Sequence, residues 1–298
     1  MTGLICLNKP KDITSFSAVA KVRGITREKK CGHTGTLDPM ATGVLPIMLG
    51  GATRFIDFLP DSDKGYVAEF KLGVVTDTLD ITGEVLEENN FSVTKEEMNS
   101  VLLNFKGTIS QIPPMYSAVS VDGQRLYDLA RKGIEVERQA RKVEVKELEL
   151  LEFDEETGIG KIEVLCSKGT YIRSIIDDFG KKLGCGATMI SLVRTKAMGI
   201  DLSECISLEE LQNIKDTSND FSSVVVSVEK LFECYPQIFV SEAQSRRFSN
   251  GGSLMRDRLK KNLKDGIYRV YSNEKIFLGL GELSEQDLKI KRLLTKRD

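Results

Sequence analysis

The sequence predicts an α+β fold in which helices flank a mixed, largely antiparallel central sheet, followed by a small β-rich domain. Segments with the period of strands and segments with the period of helices follow one another without strict βα alternation, which disfavours a doubly wound parallel sheet. After about residue 235 the pattern changes to short strands separated by glycine-containing turns. The chain has 298 residues, 41% of them hydrophobic, and is long enough for one large core or two unequal ones.

Local signals define the individual elements. Apolar or alternating runs that end at turn residues predict strands over 3–8, 44–50, 64–75, 142–153 and 159–166. Apolar residues that recur at helical spacing after a capping residue predict helices over 14–25, 94–105, 169–184 and 241–248, and a further helix that starts at 207. In the second of these helices, Thr94 and Glu97 have the spacing of a capping box.

Two features divide the chain into parts. The polar segment KDTSND at 215–220 is a candidate linker, and we predict a first domain over 1–232 and a second domain over 236–298. Within the first domain, a double proline, an Asp-Gly turn and a basic helical stretch occupy about 112–140. We interpret this stretch as an insertion that leaves the core.

The charge of the chain is balanced overall but uneven along its length. With 42 basic and 44 acidic residues, the formal net charge is −2, which does not by itself indicate a nucleic-acid-binding protein. Basic residues nevertheless cluster in 9–30 and 240–264. These cations are Lys9, Lys11, Lys21, Arg23, Arg27, Lys29 and Lys30 in the first basic segment, and Arg246, Arg247, Arg256, Arg258, Lys260, Lys261 and Lys264 in the second. Such clusters fit a face that binds a polyanion, and ordinary solvated surface is an equally good explanation.

The cysteines and the apolar stretches indicate a cytoplasmic protein. No two of the six cysteines have Cys-x-x-Cys spacing, and a chain with a single histidine, His33, is a poor candidate for a zinc site. We therefore expect reduced cysteines in the core. The first residues lack the basic segment of a signal peptide, and the longest uncharged stretch, 39–53, is too short to span a membrane.

The segment GHTGTLDPMATG at 32–43 is the strongest candidate for a functional site, since it holds His33 and, before a proline, Asp38. It lacks the Gly-Lys-Ser/Thr of a phosphate-binding P-loop, and its glycines do not match the dinucleotide-binding pattern. His33 and Asp38 alone are too few ligands for a metal ion. A Ser-His-Asp triad would need both partners of His33 around one flexible loop, so we disfavour it.

Asp38 is the better candidate for the reactive group. An aspartate, with an ordinary pKa of about 3.9, is ionised at neutral pH and needs no general base to act as a nucleophile. Pro39 restricts the residue before it to extended conformations, which would direct the carboxylate outward. A substrate that buries this carboxylate would raise its pKa, so the site needs a cation that the loop itself lacks. The alternative is a structural Asp-Pro turn.

Several segments resemble the motifs of the bacterial tRNA pseudouridine-55 synthases of the TruB type. GHTGTLDPMATGVLP resembles the catalytic motif of that family, GLICLNKPKDITSFSAVAKVR its N-terminal Lys-Pro motif, and KGYVAEFKLGVVTDTLD its tyrosine motif. IPPMYSAVSVDGQRLYDLARKG resembles its RNA-binding insertion, and CSKGTYIRSIIDDFGKKLGCGATMISLVRT its arginine motif. FSNGG and GIYRVY are similar to a PUA domain. The segments occur in family order along nearly the whole chain; one departure is Asp12, where glycine is usual.

The resemblance implies a fold, an activity and catalytic residues. The fold would be the pseudouridine synthase catalytic fold followed by a small PUA-like domain. The activity would be isomerisation of uridine to pseudouridine at position 55, in the T loop of tRNA, with Asp38 attacking uracil C6 or ribose C1′ of a flipped-out uridine. Arg173 would pair with Asp38, and Tyr66 would stack on the uracil and help to remove the C5 proton. From spacing alone, Arg173 would equally pair with Asp177 on the helix surface, and Tyr66 would be a packing residue.

The resemblance also implies residues that bind the substrate. Tyr171 would orient the catalytic arginine and line the pocket. Leu192 would pack against the base, although a leucine taken alone is better explained as core. Lys9 and Pro10 would shape the floor of the site, and His33 would hold the tRNA loop after the uridine has left it.

Partners and cofactors follow from the same resemblance. The partner would be the T arm of tRNA, bound mainly through phosphates by the two basic segments and the insertion. Because isomerisation keeps every atom of the base and the sugar, we expect no cofactor, no metal and no obligate protein partner, and a monomer is expected. Two other functions stay open: a non-catalytic tRNA-binding or RNA-folding protein, and a hydrolase with an aspartate nucleophile.

Overall fold

The computed structural model describes residues 1–60, 62–259 and 262–294. Lys260 and Lys261 of the second basic segment, and residues 295–298 of the predicted second domain, lie outside the described residues. Within the described ranges, none of the helices is long and apolar enough to cross a membrane.

The elements up to Thr217 make up the larger part of the fold. Before the insertion they are β1 (Gly3–Lys9), α1 (Ser15–Thr26), β2 (Cys31–His33), β3 (Thr42–Leu49), β4 (Lys64–Leu72), β5 (Val74–Thr76), β6 (Val85–Glu88), α2 (Lys95–Leu102) and β7 (Gly107–Gln111). Within and after it they are β8 (Ser120–Val121), β9 (Gln124–Arg125), α3 (Leu126–Ala130), β10 (Arg141–Phe153), β11 (Ile159–Cys166), α4 (Ile172–Leu183), β12 (Ala187–Ala197), β13 (Ile200–Asp201) and α5 (Leu208–Thr217). Short 3₁₀ helices include Gly50–Phe58 and Leu103–Phe105.

A single mixed sheet organises these elements. In the described part of the chain it has nine strands, with the order β1-β3-β12-β4-β11-β10-β7 and with β2 and β13 paired to β3 and β12. The contact between β3 and β12 is parallel, and the other described pairs of this sheet are antiparallel. The predicted α+β class with a mixed, largely antiparallel sheet is therefore confirmed.

The alternation of β4 explains how α4 packs on the sheet. Tyr66, Ala68, Phe70 and Leu72 are buried on one face of the strand, as its two-residue period requires. Phe70 meets Phe179 of α4 edge to face, with ring centroids 4.9 Å apart. The isoleucines of α4 lie in the same core, and burial of each such side chain stabilises the fold by about 1.5–3 kcal/mol.

Reciprocal capping boxes fix the start of three of the described α-helices, and the sequence predicts all three helices. In each, a hydroxyl accepts from the third helical amide while the side chain at that position bonds back to the cap. The pairs are Thr94 and Glu97 in α2, Ser207 and Glu210 in α5, and Ser241 and Gln244 in the helix that follows the next strand. Each cap contributes about 1 kcal/mol.

Three predicted boundaries are wrong. The helix predicted from residue 169 begins at Ile172, because the residues before it form a turn closed by a bond from Thr170 Oγ1 to the Ser167 carbonyl (2.9 Å). The strand predicted over 64–75 breaks at Gly73, whose φ is 79°, and β5 then pairs with β6.

The third correction concerns the linker predicted at 215–220. Helix α5 continues through Thr217, so the first half of this segment is helical. The chain beyond it returns to the core, where Val226 and Leu4 exchange two main-chain hydrogen bonds of 2.8 Å. The polar composition of the segment reflects an exposed helix end and turn.

The elements after residue 227 comprise a second sheet of five strands and short helices around it. They are a 3₁₀ helix (Val228–Phe232), β14 (Gln237–Val240), α6 (Glu242–Ser249), β15 (Leu254–Met255), β16 (Gly266–Ser272), β17 (Phe277–Leu283) and β18 (Asp287–Leu293). The strand order is β14-β16-β17-β18-β15. Phe55 packs against Phe232 and Phe277, with ring centroids 5.7 and 6.3 Å apart, so the two sheets share an apolar contact.

The cysteines follow the prediction in part. Cys6, Cys166 and Cys185 are buried, as expected for small core residues, whereas Cys234 is exposed. The position of Cys234, just before a tyrosine and proline that lead into β14, places it on the surface of the connection between the sheets.

Candidate active site

A buried arginine fixes the loop between β2 and β3. Arg194, on β12, is 1% exposed, and its guanidinium donates to three main-chain carbonyls. The acceptors are Val44 (2.6 Å), Gly35 (3.2 Å) and Thr36 (3.4 Å). β12 can approach the loop because Gly43, at φ 100°, has no side chain: a Cβ there would stand 2.2 Å from the Arg194 carbonyl oxygen. Sequence reasoning missed Arg194, and its only signal was a cation at the end of the apolar segment 189–195.

A buried lysine supports the same loop from behind. Lys9, at the end of β1, is fully buried, and its Nζ donates to the carbonyls of Pro10 (2.9 Å), Ile13 (2.8 Å) and Pro39 (3.1 Å). The amide of Asp12 donates to the Pro39 carbonyl as well (2.9 Å). Asp12 adopts φ 63°, in the left-handed region that favours glycine, so the aspartate keeps the turn that glycine would form.

The burial of Lys9 corrects one part of the charge analysis. It does not belong to the basic surface of segment 9–30, whose other six cations are exposed. Burial lowers the pKa of the Lys9 ammonium to about 8, and the nearby Asp38 carboxylate opposes that shift.

Asp38 lies at the outer edge of the loop that these cations hold. On one side, the hydroxyl of Ser15 accepts from the Leu37 amide (2.8 Å) and donates to the Leu37 carbonyl (2.9 Å). On the other side, the amide of Ala41 donates to the Asp38 carbonyl (3.1 Å). The Asp38 side chain keeps 32% of its surface exposed, so a ligand can reach the carboxylate.

Arg173, from the first turn of α4, supplies the cation that the loop lacks. Its Nη2 lies 3.0 Å from Asp38 Oδ2, and the arginine side chain is only 5% exposed. Two main-chain carbonyls also hold the guanidinium: Nη1 donates to Thr78 and Nη2 to Tyr116, each at 2.8 Å. The alternative pairing of Arg173 with Asp177 is wrong, because the Asp177 carboxylate binds Lys181 instead (2.6 Å).

Asp80 is a second carboxylate on the same arginine, and sequence reasoning missed it. Its Oδ2 lies 3.5 Å from Arg173 Nη1, and the residue is 4% exposed. The other oxygen, Oδ1, accepts from the Thr82 amide (3.0 Å) and from the hydroxyls of Thr82 (2.5 Å) and Thr78 (3.0 Å). The available signal was local: TDTLDIT holds three threonines around Asp80, the residues expected for a turn built on a carboxylate.

The electrostatics of Asp38 reflect opposing effects. Burial raises the pKa of its carboxyl, and the neighbouring Asp80 carboxylate adds to this rise, while Arg173 and Lys9 oppose it. The net direction is upward from the ordinary value of 3.8. Removal of more water by a bound ligand would raise the pKa further, which makes the direct bond from Arg173 important for keeping the carboxylate charged.

Tyr66 and Leu192 lie on two neighbouring strands of the sheet, β4 and β12. The register of β4 and β12 pairs Tyr66 with Arg194, and Ala68 with Leu192. Both Tyr66 and Leu192 are buried, at 6% and 7% exposed. Burial raises the pKa of the Tyr66 phenol, and the Arg194 guanidinium opposes this shift. The phenol is therefore neutral at neutral pH.

The remaining predicted residues lie around these groups. His33 is half-buried on β2, and its Nδ1 is enclosed without a hydrogen-bond partner among the described residues. Burial and the charge of Arg194 lower its pKa, so the imidazole is neutral at neutral pH. Tyr171 precedes α4 and is held through its main chain, which exchanges bonds of 2.7 and 2.9 Å with the Gln111 side chain. Pro10 is exposed beside the loop.

The insertion joins this site at its base. Besides the Tyr116 carbonyl on Arg173, the Tyr116 hydroxyl donates to Asp77 (3.1 Å), and Ser174 Oγ of α4 donates to the Ile112 carbonyl (3.3 Å). Arg173 therefore connects four separate segments of the chain. The geometry presents an accessible carboxylate next to a buried guanidinium. A neutral phenol that interacts electrostatically with this carboxylate lies on β4, and an apolar side chain lies on the adjacent strand β12. This set of groups suits nucleophilic chemistry on a flat ring.

Comparison with known protein families identifies the family to which the chain belongs. Residues 23–172 match the family described as "TruB family pseudouridylate synthase (N terminal domain)". Residues 173–233 match "tRNA pseudouridylate synthase B C-terminal domain", and residues 236–294 match "Pseudouridine synthase II TruB, C-terminal". The chain belongs to the TruB family of pseudouridylate synthases. It is an isomerase, as the motif resemblance implies.

Relatives of this TruB-family synthase cover its full length. A protein of Clostridium acetobutylicum named tRNA pseudouridine synthase B is 44% identical over 296 residues, which are 99% of this chain and 100% of the relative. A protein of the same name from Clostridium tetani is 45% identical over the same shares. One from Pseudomonas fluorescens is 43% identical over 96% of this chain and 92% of the relative.

Solved structures show the same fold. A chain of the "Crystal Structure of a Cbf5-Nop10-Gar1 Complex" aligns over 99% of the synthase and 86% of that chain, with a TM-score of 0.74 and 26% identity. A chain of an H/ACA RNP bound to a substrate RNA aligns with a TM-score of 0.73 over the same shares at 24% identity, which shows the fold alone. The predicted pseudouridine synthase fold is thus confirmed.

Proposed function

We propose that this synthase converts uridine 55 in the T loop of tRNA to pseudouridine, with Asp38 as the nucleophile. One observation carries the proposal: the Asp38 carboxylate, which a ligand can reach, lies 3.0 Å from the buried Arg173 guanidinium. The names of the relatives in Clostridium support tRNA as the substrate. The motifs that carry the resemblance include Asp38, Tyr66 and Arg173.

The reaction would proceed through a covalent bond between Asp38 and the uridine. The carboxylate attacks uracil C6 or ribose C1′, and the bond between C1′ and N1 breaks. The uracil turns within the pocket, C5 bonds to C1′, C5 loses its proton and N1 gains one. The aspartate leaves unchanged, and no water, oxidant or cofactor is consumed. Arg173 keeps the carboxylate ionised while the base excludes water.

Tyr66 and Leu192 would hold the turning base. A neutral phenol presents a flat face for stacking on uracil, and Leu192 contributes an apolar wall from the neighbouring strand. Removal of the C5 proton by Tyr66 would require the phenolate, which burial opposes and Arg194 favours. Arg194 is therefore the residue that would make this step accessible.

The other predicted residues would shape the site and bind RNA. Lys9 fixes the Pro39 carbonyl directly behind Asp38, and Pro10 would form the floor with it. Tyr171 would line the pocket at the start of α4. His33 is neutral and has an unpaired Nδ1 among the described residues, which suits contact with the bases of an opened tRNA loop better than proton transfer.

An RNA-binding face would extend from the site along α1. Lys11, Lys21, Arg23 and Arg27 are exposed there. Phe16, at the second position of the helix, is 76% exposed. Its neighbour Ser15 bonds to Leu37 in the loop between β2 and β3 (residues 34–41, the catalytic loop). An exposed aromatic ring among cations beside an active site is typical of surfaces that bind unpaired nucleotides. The insertion and the exposed cations of the second basic segment would contact phosphates.

We also infer the setting in which the synthase acts. We infer a monomer that needs no obligate protein partner. A tRNA substrate implies a cytoplasmic enzyme. The predicted division into a catalytic domain over 1–232 and a PUA-like RNA-binding domain over 236–298 fits the second sheet over Gln237–Leu293.

Mapping of pseudouridine in cellular tRNA tests this function. In cells without the protein, pseudouridine at T-loop position 55 should disappear and the other pseudouridines should remain. Reintroduction of the wild-type chain should restore it. Unchanged modification at position 55 would contradict the proposal. Restoration by an Asp38→Asn variant would instead favour a non-catalytic RNA-binding role, and release of a base fragment in vitro would indicate a hydrolase.

A further inference from the structure

A cavity adjoins the site at Thr34 and Gly35 of the catalytic loop and at Arg194. Its volume is about 260 Å³, and it opens between the loop, the start of β4 and the end of β12. Three cations line it: Lys64, Lys168 and Arg194. The carboxylate on its lining among the described residues is that of Asp57, which is exposed. Cations therefore outnumber carboxylates among the described residues that line the cavity.

Lys64 is directed into this cavity by the strand that carries Tyr66. Residues two apart on a strand share a face, so Lys64 and Tyr66 point to the same side of β4. Lys64 Nζ comes within 3.0 Å of the position that a Cβ on Gly35 would occupy. Among the described residues, this ammonium has neither a hydrogen-bond acceptor nor an ion-pair partner.

The protein itself destabilises the charged form of the Lys64 side chain. Burial and the neighbouring Arg194 guanidinium both lower the pKa of its ammonium, to about 8. Arg194 itself is fully buried and donates to carbonyls, not to a carboxylate, in the described bonds. A bound anion would relieve the repulsion between these two cations and give Lys64 an acceptor.

Gly35 keeps the space beside Lys64 open. A Cβ at this position would stand 3.0 Å from Lys64 Nζ and 3.8 Å from Arg194 Nη1. The backbone of Gly35 is not in the left-handed region, so the conformation does not require glycine. The missing side chain therefore leaves room for a ligand between the loop and the two cations.

We propose that this cavity is a phosphate subsite in which Lys64, beside Arg194 and Gly35, binds an RNA phosphodiester next to the target uridine. The inference rests on the proposed function and extends it to the anchoring of the substrate backbone. Gly35 belongs to the loop that ends in Asp38, and Lys64 shares its strand face with Tyr66. A uridine whose base lies between Asp38 and Tyr66 would therefore have an adjacent phosphate within reach of Lys64.

Substitution of Lys64 tests the charge. With a T-arm RNA that the wild type isomerises, Lys64→Gln should raise KM about tenfold, as expected for loss of one charged hydrogen bond. The turnover number should change less than about twofold, because the contact is made before and during the reaction. The slope of log affinity against log salt should fall by about 0.7–0.9. Lys71→Gln, on the opposite face of β4, is the matched control and should behave as wild type.

RNA with a single neutral methylphosphonate distinguishes a phosphate contact from a structural effect. At one phosphate flanking the target uridine, this change should weaken binding to the wild type about tenfold and leave binding to Lys64→Gln unchanged. If the glutamine variant is unstable, Gly35→Ala replaces it, because the added Cβ fills the space beside Lys64. Binding to this variant should likewise be unaffected by the methylphosphonate. If the fold-losses of binding caused by the methylphosphonate and by Lys64→Gln multiply at every flanking phosphate, the two groups act independently and the subsite is refuted.

Two further measurements distinguish failure of the phosphate subsite from failure of the proposed function. Inorganic phosphate alone should not protect the wild type against heat more than it protects Lys64→Gln. Selective protection together with independent RNA effects would mean that the cavity binds free phosphate, which overturns the inference. Absence of isomerisation of any tRNA by the wild type would refute the proposed function, whereas normal isomerisation with an additive methylphosphonate effect would refute the subsite alone.

Discussion

Asp38 and Arg173 form an ion pair of 3.0 Å in which the carboxylate is partly exposed and the guanidinium is buried. The exposed partner is free to meet a substrate. The buried partner is held by carbonyls of Thr78 and Tyr116 and by the Asp80 carboxylate. Because these contacts fix the Arg173 guanidinium, its position is set before a substrate arrives. A charge that is positioned in advance stabilises a nucleophile efficiently, since it does not have to reorganise during the reaction.

Asp80→Asn should reduce the turnover number with little change in RNA affinity. The amide keeps the bonds from the threonines in part but removes the second negative charge on Arg173, so the guanidinium loses one of its positioning contacts. Small displacements of catalytic groups cost up to about 100-fold in rate, and we expect a loss of about 10- to 100-fold. Single-turnover rates and filter binding measure the two effects.

The control for this variant is Asp154→Asn, whose carboxylate caps a turn between β10 and β11 by accepting from the amides of Glu156 and Thr157. It should leave the rate unchanged. A wild-type rate for Asp80→Asn, or a rate loss shared by the control, would show that Asp80 has no specific role.

Asp38→Asn should become more stable relative to the wild type as pH rises from about 4 to 7. The pKa of Asp38 is raised in the folded state above its ordinary 3.8, so the folded protein binds more protons in that window. The contribution of the Asp38 carboxyl to the free energy of unfolding is therefore complete below about pH 3.8. It is lost as pH rises through the pKa of the folded state. Thermal unfolding of both proteins across this range measures the difference in Tm.

Asp154→Asn again provides the control for the pH series. Its pKa is lowered by the amides of Thr157 and Glu156, so its contribution is complete above about pH 5 and is lost as pH falls through the folded pKa. The Tm difference of that variant should be constant from about pH 5 upward. A constant difference for Asp38→Asn as well would contradict the raised pKa of the nucleophile.

Arg194→Lys should destabilise the fold by about 2–4 kcal/mol. A lysine cannot reach three carbonyls at once, so buried acceptors of the catalytic loop lose their donors. Urea unfolding gives the free-energy change. Arg246→Lys, on exposed helix α6 where Arg246 pairs with Glu242, should change the stability by less than about 0.5 kcal/mol. Equal stabilities of the two variants would mean that the loop does not depend on Arg194.

Phe16→Trp should report RNA binding by fluorescence. The chain contains no tryptophan, so the new indole is the sole emitter of its kind. Stacking of a base on it should quench the emission as tRNA is added, and activity should remain, because tryptophan preserves the aromatic face. Leu103→Trp, at a residue 66% exposed in the 3₁₀ helix after α2, is the control and should not respond. Saturation with tRNA without quenching at position 16 would place the bound RNA away from α1.

Local signals were sufficient for most of the fold. The capping boxes at Thr94 and Ser207 and the alternation of β4 involve residues close in sequence, and each gave the correct element. The end of α5 was missed because polarity marks both linkers and exposed helix turns. The break at Gly73 was missed because apolar residues continue on both sides of it.

The candidate site was less accessible from sequence, because its contacts are distant. The need for a cation near Asp38 followed from electrostatics, but its assignment to Arg173 came from the motif resemblance. Asp80 and Arg194 gave no periodic signal and act through bonds to segments far along the chain. Lys9 was grouped with surface cations, since nothing local shows that three carbonyls surround it.

The most direct test of the central claim is tritium release from C5-labelled uridine in a T-arm RNA. The wild type should release tritium from the position-55 uridine. Asp38→Asn and Asp38→Ala should lower the rate by at least about 10³-fold, while RNA affinity stays within about threefold. This result is predicted if Asp38 is the nucleophile. Release at the wild-type rate by either variant would contradict that assignment.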